Sequence, residues 1–118
     1  MKKIGGNTTL ELQIKTVTKN EIGEQVPTWK TIHTLTGFLD LSSGDSRYTN
    51  YNAKIQESTH LFICNYQILD QSVNAENTRI FEPNTSNYYD VTLIDNPMNM
   101  NYHLEFYLRF VGGQYEWN

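Results

Sequence analysis

Residues able to do chemistry are sparse in this 118-residue chain. Its three histidines, His33, His60 and His103, sit far apart. A zinc site read from sequence shows at least one close pair of ligands, so scattered structural histidines explain these three better than a metal centre. Cys64 is the single cysteine and has no internal disulfide partner. It becomes a nucleophile only beside a group that lowers its pKa. Its place among Phe62, Ile63 and Tyr66 predicts a buried, inert thiol instead.

Asp90 and Asp95 offer a carboxylate pair for acid–base work. Separated by five positions in one extended strand, they are expected on opposite faces, as solvated strand ends. Ser42-Ser43-Gly44-Asp45 has neither the glycine and lysine spacing of a phosphate loop nor the frame of a nucleophile elbow. Arg47, Tyr48 and Tyr51 have the groups to stack on and pin a nucleic-acid strand. One arginine, Lys54 and Asp45 make a weak electrostatic footprint, which leaves room only for passing contact with DNA. With no nucleophile, base and ligand set in view, the expectation is a non-enzyme that requires no cofactor and no metal.

The elements that position these residues read as strands. Leu10, Leu12 and Ile14 alternate with Glu11, Gln13 and Lys15, the period of a half-buried strand. Asn20-Glu21-Ile22-Gly23 is a turn, and Trp29 to Leu35 is a second strand that continues through Phe38 to Leu41. Gly37 interrupts it and predicts a bulge or bend. Thr59 to Tyr66 puts His60, Phe62, Cys64 and Tyr66 on one face. Gln67 to Thr78 is a loop or one short helix, Arg79 to Glu82 a short strand, and Tyr88 to Asp95 another, stopped by Pro97. Tyr102 to Val111 is the clearest strand, with Leu104, Phe106, Leu108 and Phe110 all expected in the core. No helical period is sustained. The pattern predicts an all-β fold over residues 1–118 as one domain, a small antiparallel barrel or sandwich with one long loop and little helix.

That loop is Ser42 to Asn52, which holds no aliphatic side chain. A stretch of this kind contributes nothing to a core, and long loops in compact domains are usually functional or disordered, the plain alternative being an ordinary surface or subunit-contact loop. The remaining composition narrows the class. Hydrophobic residues are 38%, below the usual ~45–50%, so contacts with other subunits are expected to add stability. Eight tyrosines suit half-buried sheets and interfaces, because the ring is apolar and the hydroxyl still needs a partner. The net charge of −4 argues against a general phosphate binder. Residues 1–59 carry net +1 and residues 60–118 net −5, a hint that neighbouring copies attract side to side. No apolar run approaches the ~20 residues of a membrane span, and Met1-Lys2-Lys3 leads into no apolar signal segment. Synthesis in a cytoplasm, with no membrane partner, is the expectation. These observations lead to a β-rich structural subunit of an assembly.

Several segments, taken in order, resemble a known group. Val26-Pro27-Thr28-Trp29 precedes the strand into Gly37-Phe38-Leu39-Asp40. After the polar loop come Glu57-Ser58-Thr59-His60 and Cys64-Asn65-Tyr66, then Arg79-Ile80 and Tyr88-Tyr89-Asp90-Val91. Ile94-Asp95-Asn96-Pro97 and His103-Leu104-Glu105-Phe106-Tyr107-Leu108 close the set. In order and spacing these resemble the small head-closure, or head–tail connector, proteins of long-tailed phages and prophages of Gram-positive bacteria. The tail from Gly112 to Asn118 has no counterpart in that pattern.

The resemblance implies a small β-barrel that assembles with copies of itself as a ring in the virion, beneath the portal of a DNA-filled head. Its partners would be a portal or adaptor protein above and a tail-completion protein below. It also implies that a long loop projects into the DNA channel as a gate. The matching positions here are Ser43, Gly44, Asp45, Ser46, Arg47, Tyr48, Thr49 and Tyr51. A neighbouring virion part, such as a tail-completion protein or another all-β adaptor, is the competing reading. A ligand- or oligonucleotide-binding barrel stands third, because the basic, aromatic strand face it needs is missing.

Overall fold

The alternation around Leu10 and Leu12 becomes a strand, β1 (Thr8–Lys19), whose two leucines are fully buried. The Asn20 side chain then accepts hydrogen bonds from the backbone N–H groups of Ile22 (3.1 Å) and Glu24 (2.9 Å). Gly23 supplies the positive φ of 85° that closes the turn at no steric cost. The chain returns as β2 (Gln25–Leu41), followed by β3 (His60–Asn65), β4 (Thr78–Glu82), β5 (Asn87–Asp95) and β6 (His103–Gly112). The computed structural model describes residues 6–41 and 58–113. In it the strands close into an antiparallel barrel in the order β1-β2-β3-β6-β5-β4. Helix is confined to 3-10 turns at Ala75–Asn77 and Pro97–Asn99 among the described residues. The fold is all-β as the periodicity predicts, and of the two expected forms it is the barrel.

Side chains fill the barrel. Leu10, Leu12, Leu35, Phe62, Ile80, Leu104, Phe106 and Leu108 make up its buried centre, with the Phe62 and Phe106 rings 6.2 Å apart. A barrel of so few strands has an interior only wide enough for its own residues.

Four expectations need correction. The second strand starts at Gln25, ahead of Trp29, because Pro27 pairs opposite Val17 where no ladder donor is needed. Gly37 does not break it. The irregularity is at Ile32, the extra residue between the Leu12–His33 and Gln13–Thr31 pairs. Gly37 is needed because the β3 backbone comes so close that a Cβ there would overlap the Ile63 carbonyl. A second bulge, at Thr92, lies between the Val91–Leu108 and Leu93–Tyr107 pairs. It reverses the facing of the remainder of β5, so Ile94 packs on the core and Asp90 and Asp95 share the outer face. Phe110 is 46% exposed, since pairing with β3 ends at His60–Leu108 and β6 runs on past it.

The first hairpin outruns the barrel. β4 pairs with β1 only at Glu11–Ile14, and β3 pairs with β2 only at Gly37–Leu41. Between Lys15–Trp29 and Lys19–Gln25 the two long strands pair with each other as a ribbon.

Candidate interaction surfaces

The predicted gating residues Ser43, Gly44, Asp45, Ser46, Arg47, Tyr48, Thr49 and Tyr51 lie outside the described residues. The residues that flank them, Leu41 and Ser58, are described, and they lie at the barrel end opposite the ribbon. An aromatic group occupies that end. The His60 ring meets Tyr89 edge-on at 5.2 Å, and Tyr89 meets Phe110 at 5.5 Å. The Tyr89 hydroxyl donates to Glu82 at 3.3 Å, and Thr85 donates to the same oxygen at 2.9 Å. Burial lowers the His60 pKa, against the pull of Glu82 and Asp40. Burial, with Glu82 adding to it, pushes the Tyr89 phenol up to about 12. Leu41, beside this group, is 74% exposed.

The other chemistry-bearing residues do not converge. At the ribbon end the Asp70 N–H donates to His33 Nε2 at 3.1 Å, which ties the loop after β3 to β2. His103 is on the outer wall, its Nε2 3.3 Å from Glu105. Cys64 is buried in the core, and burial pushes its thiol up to about 11, so the nucleophilic thiolate is strongly disfavoured.

Two outer walls stand out. On the first, formed by β1, the first part of β2, β4 and β5, the Arg79 guanidinium lies 4.4 Å from the ring centres of both Trp29 and Tyr88. Its Nε donates to Gln13 at 2.7 Å. This stack joins the base of the ribbon to the barrel. Register continues the same face outward through Lys15, Val17, Lys19 and Pro27. The reverse face of the ribbon carries threonines, with Thr16 and Thr28 hydroxyls bonded at 2.6 Å. Next to the stack, Arg109 pairs with Asp90 at 2.6 Å.

The second wall is centred on β3 and β6. Cross-strand pairs put Phe38 beside Ile63, Ile63 beside Glu105, and Leu61 beside Tyr107. Phe38 is 46% exposed, and the aliphatic residues next to it are half-buried on the outside of the barrel. Asp95 pairs opposite Glu105. Burial and this second carboxylate raise the Asp95 pKa. The Tyr107 hydroxyl donates to Glu105 at 3.0 Å, and burial with that carboxylate pushes the phenol up to about 12.

Sequence reasoning missed both walls. The ribbon had a signal in the lengths of β1 and β2, 12 and 17 residues against 6 and 5 for β3 and β4. The β3–β6 wall had a weaker one, because Leu61 and Ile63 are apolar on the face opposite the core residues.

No protein-family model matches the chain, and no curated protein sequence matches it. One solved structure with a similar fold is a chain from the virion of a native gene transfer agent particle. The two share 12% sequence identity with a TM-score of 0.54, over 89% of this chain and 94% of that one.

Proposed function

We propose that the chain is a structural virion subunit with no catalytic role, and that it forms a ring beneath the portal that closes the DNA-filled head and receives the tail. The likeness to a virion-particle chain over nearly the whole of both chains carries this reading. The ordered segments that resemble head-closure proteins refine it from virion part to connector. The filled barrel supports it too, because the exposed apolar residues lie on outer walls and at the barrel ends, where assembly partners bind. On this reading the segment between Leu41 and Ser58 gates the DNA channel, making only passing, sequence-independent contact with DNA.

The test is mass spectrometry of purified particles, followed by removal of the gene. Head closure predicts that the chain is present in particles and that its loss leaves tailless heads emptied of DNA. Full heads without tails would instead support a role in tail completion, and absence from particles would end the virion reading. Deleting Gly44 to Thr49 tests the gate separately. Heads that join tails and retain DNA at normal levels would refute it.

A further inference from the structure

The two outer walls face away from each other. In the closed order β1-β2-β3-β6-β5-β4, β1 lies across the barrel from β6 and β4 across from β3. The wall that extends into the ribbon is therefore opposite the wall carrying Phe38, Leu61 and Ile63. One molecule cannot bring these surfaces together, but two copies can.

Their chemistry is complementary. Along the paired shaft of the ribbon the charged residues are Lys15 and Lys19, with Lys30 just below on the reverse face, and its acids Glu21 and Glu24 are in the turn at its tip. Val17, 59% exposed, and Pro27 lie between the lysines on the outward face. The opposite wall has an apolar centre with Asp95 and Glu105 side by side at its edge. Arg109, next to the Trp29–Arg79–Tyr88 stack, is bound to Asp90. The ribbon base is clamped by the Trp29–Arg79–Tyr88 stack, which lowers the ordering cost of docking this arm.

We propose that these walls are the two halves of one interface: the β1–β2 ribbon of one copy, through Val17, Pro27 and Lys19, docks on the β3–β6 wall of the next copy, against Phe38, Leu61 and Ile63 beside Glu105. The contact joins unlike surfaces, so each added copy exposes a fresh ribbon and a fresh wall. Such a contact builds a closed ring where the rotation closes, and a filament where it does not. The apolar centre supplies the affinity, and the charges select orientation and reject ribbon-to-ribbon pairing. This inference deepens the proposed ring and rests on the chain being an assembly subunit.

Disulfide trapping of the full chain at high concentration in a redox buffer tests it. Cys64 is buried and contributes no background. The variant carrying Val17→Cys and Leu61→Cys is expected to give a ladder of linked oligomers. The two single variants mixed should give dimers, and each alone almost nothing. Phe38→Cys replaces Leu61→Cys if the latter does not fold. Adding Glu105→Lys should slow trapping by about tenfold, and Lys19→Glu on the ribbon should restore it. Ribbon-to-ribbon trapping as fast as ribbon-to-wall overturns the proposal. So does ribbon-to-wall trapping no faster than between Val17→Cys and Asn84→Cys in the β4–β5 turn. The two readings fail separately. A chain found in particles that shows no selective trapping refutes this interface alone, and selective trapping by a chain absent from particles refutes the virion assignment alone.

Discussion

Leu12 and Val17 belong to the same strand, yet Leu12 is fully buried and Val17 is 59% exposed. Leu12 has β4 on one side and β2 on the other, whereas at Val17 only β2 remains among the described strands. The barrel half of the hairpin is held by a shared apolar core. The ribbon half depends on its backbone ladder, a threonine pair and the Arg79 stack at its base. An isolated two-stranded hairpin is marginal in water, so the ribbon is a low-stability arm on a high-stability base. The barrel is expected to tolerate little change inside, and the ribbon to tolerate surface change without unfolding the chain.

The sharpest way to break this contrast is Phe106→Ala. The side chain is fully buried, so its loss should cost about 3–5 kcal/mol. Total stability for such domains is only ~5–15 kcal/mol, so the melting temperature should fall steeply. An unchanged melting temperature would show that the barrel centre is not the stabilising region. Gly37→Ala comes next. Its methyl would press on the β3 backbone, and urea titration should show a loss of about 1–3 kcal/mol, as overpacking does. Loss of less than that would mean β2 and β3 separate easily.

Arg79→Ala sharpens the comparison on the ribbon side. Global stability should drop by only about 1 kcal/mol, within the range of cation–π contacts. Hydrogen exchange should quicken in Lys15–Lys19 and Gln25–Trp29 while the amides around Phe106 keep their protection. Equal acceleration in both regions would show that ribbon and barrel open as one unit.

The smallest expected effect concerns Asp95, whose pKa is raised by burial and by Glu105. A carboxyl raised in the folded state favours folding while protonated, below the ordinary carboxylate range, and loses that contribution as pH rises through the raised value. Asp95→Asn should therefore raise the melting temperature slightly at neutral pH, with the gain disappearing in acid. A gain that is independent of pH would show that charge is not its cause.

Strand positions and fold class were legible in the chain, because side chains alternate along any strand and apolar residues gather on the buried side. Leu10 with Leu12, Phe62 with Cys64, and Leu104 through Leu108 all read correctly for that reason. The inert setting of Cys64 was legible from its neighbours. Alternation is local, however, and says nothing of where a partner strand stops or where one residue too many enters a ladder. The tertiary structure decided those points. It put bulges at Ile32, Thr92 and Val111, turned Asp90 and Asp95 to one face, and left Phe110 beyond the reach of β3. It also let β1 and β2 overhang their short neighbours, and the closed strand order placed the ribbon wall and the β3–β6 wall on opposite sides. Barrel closure is a property of all six pairings together, so no single segment carries it.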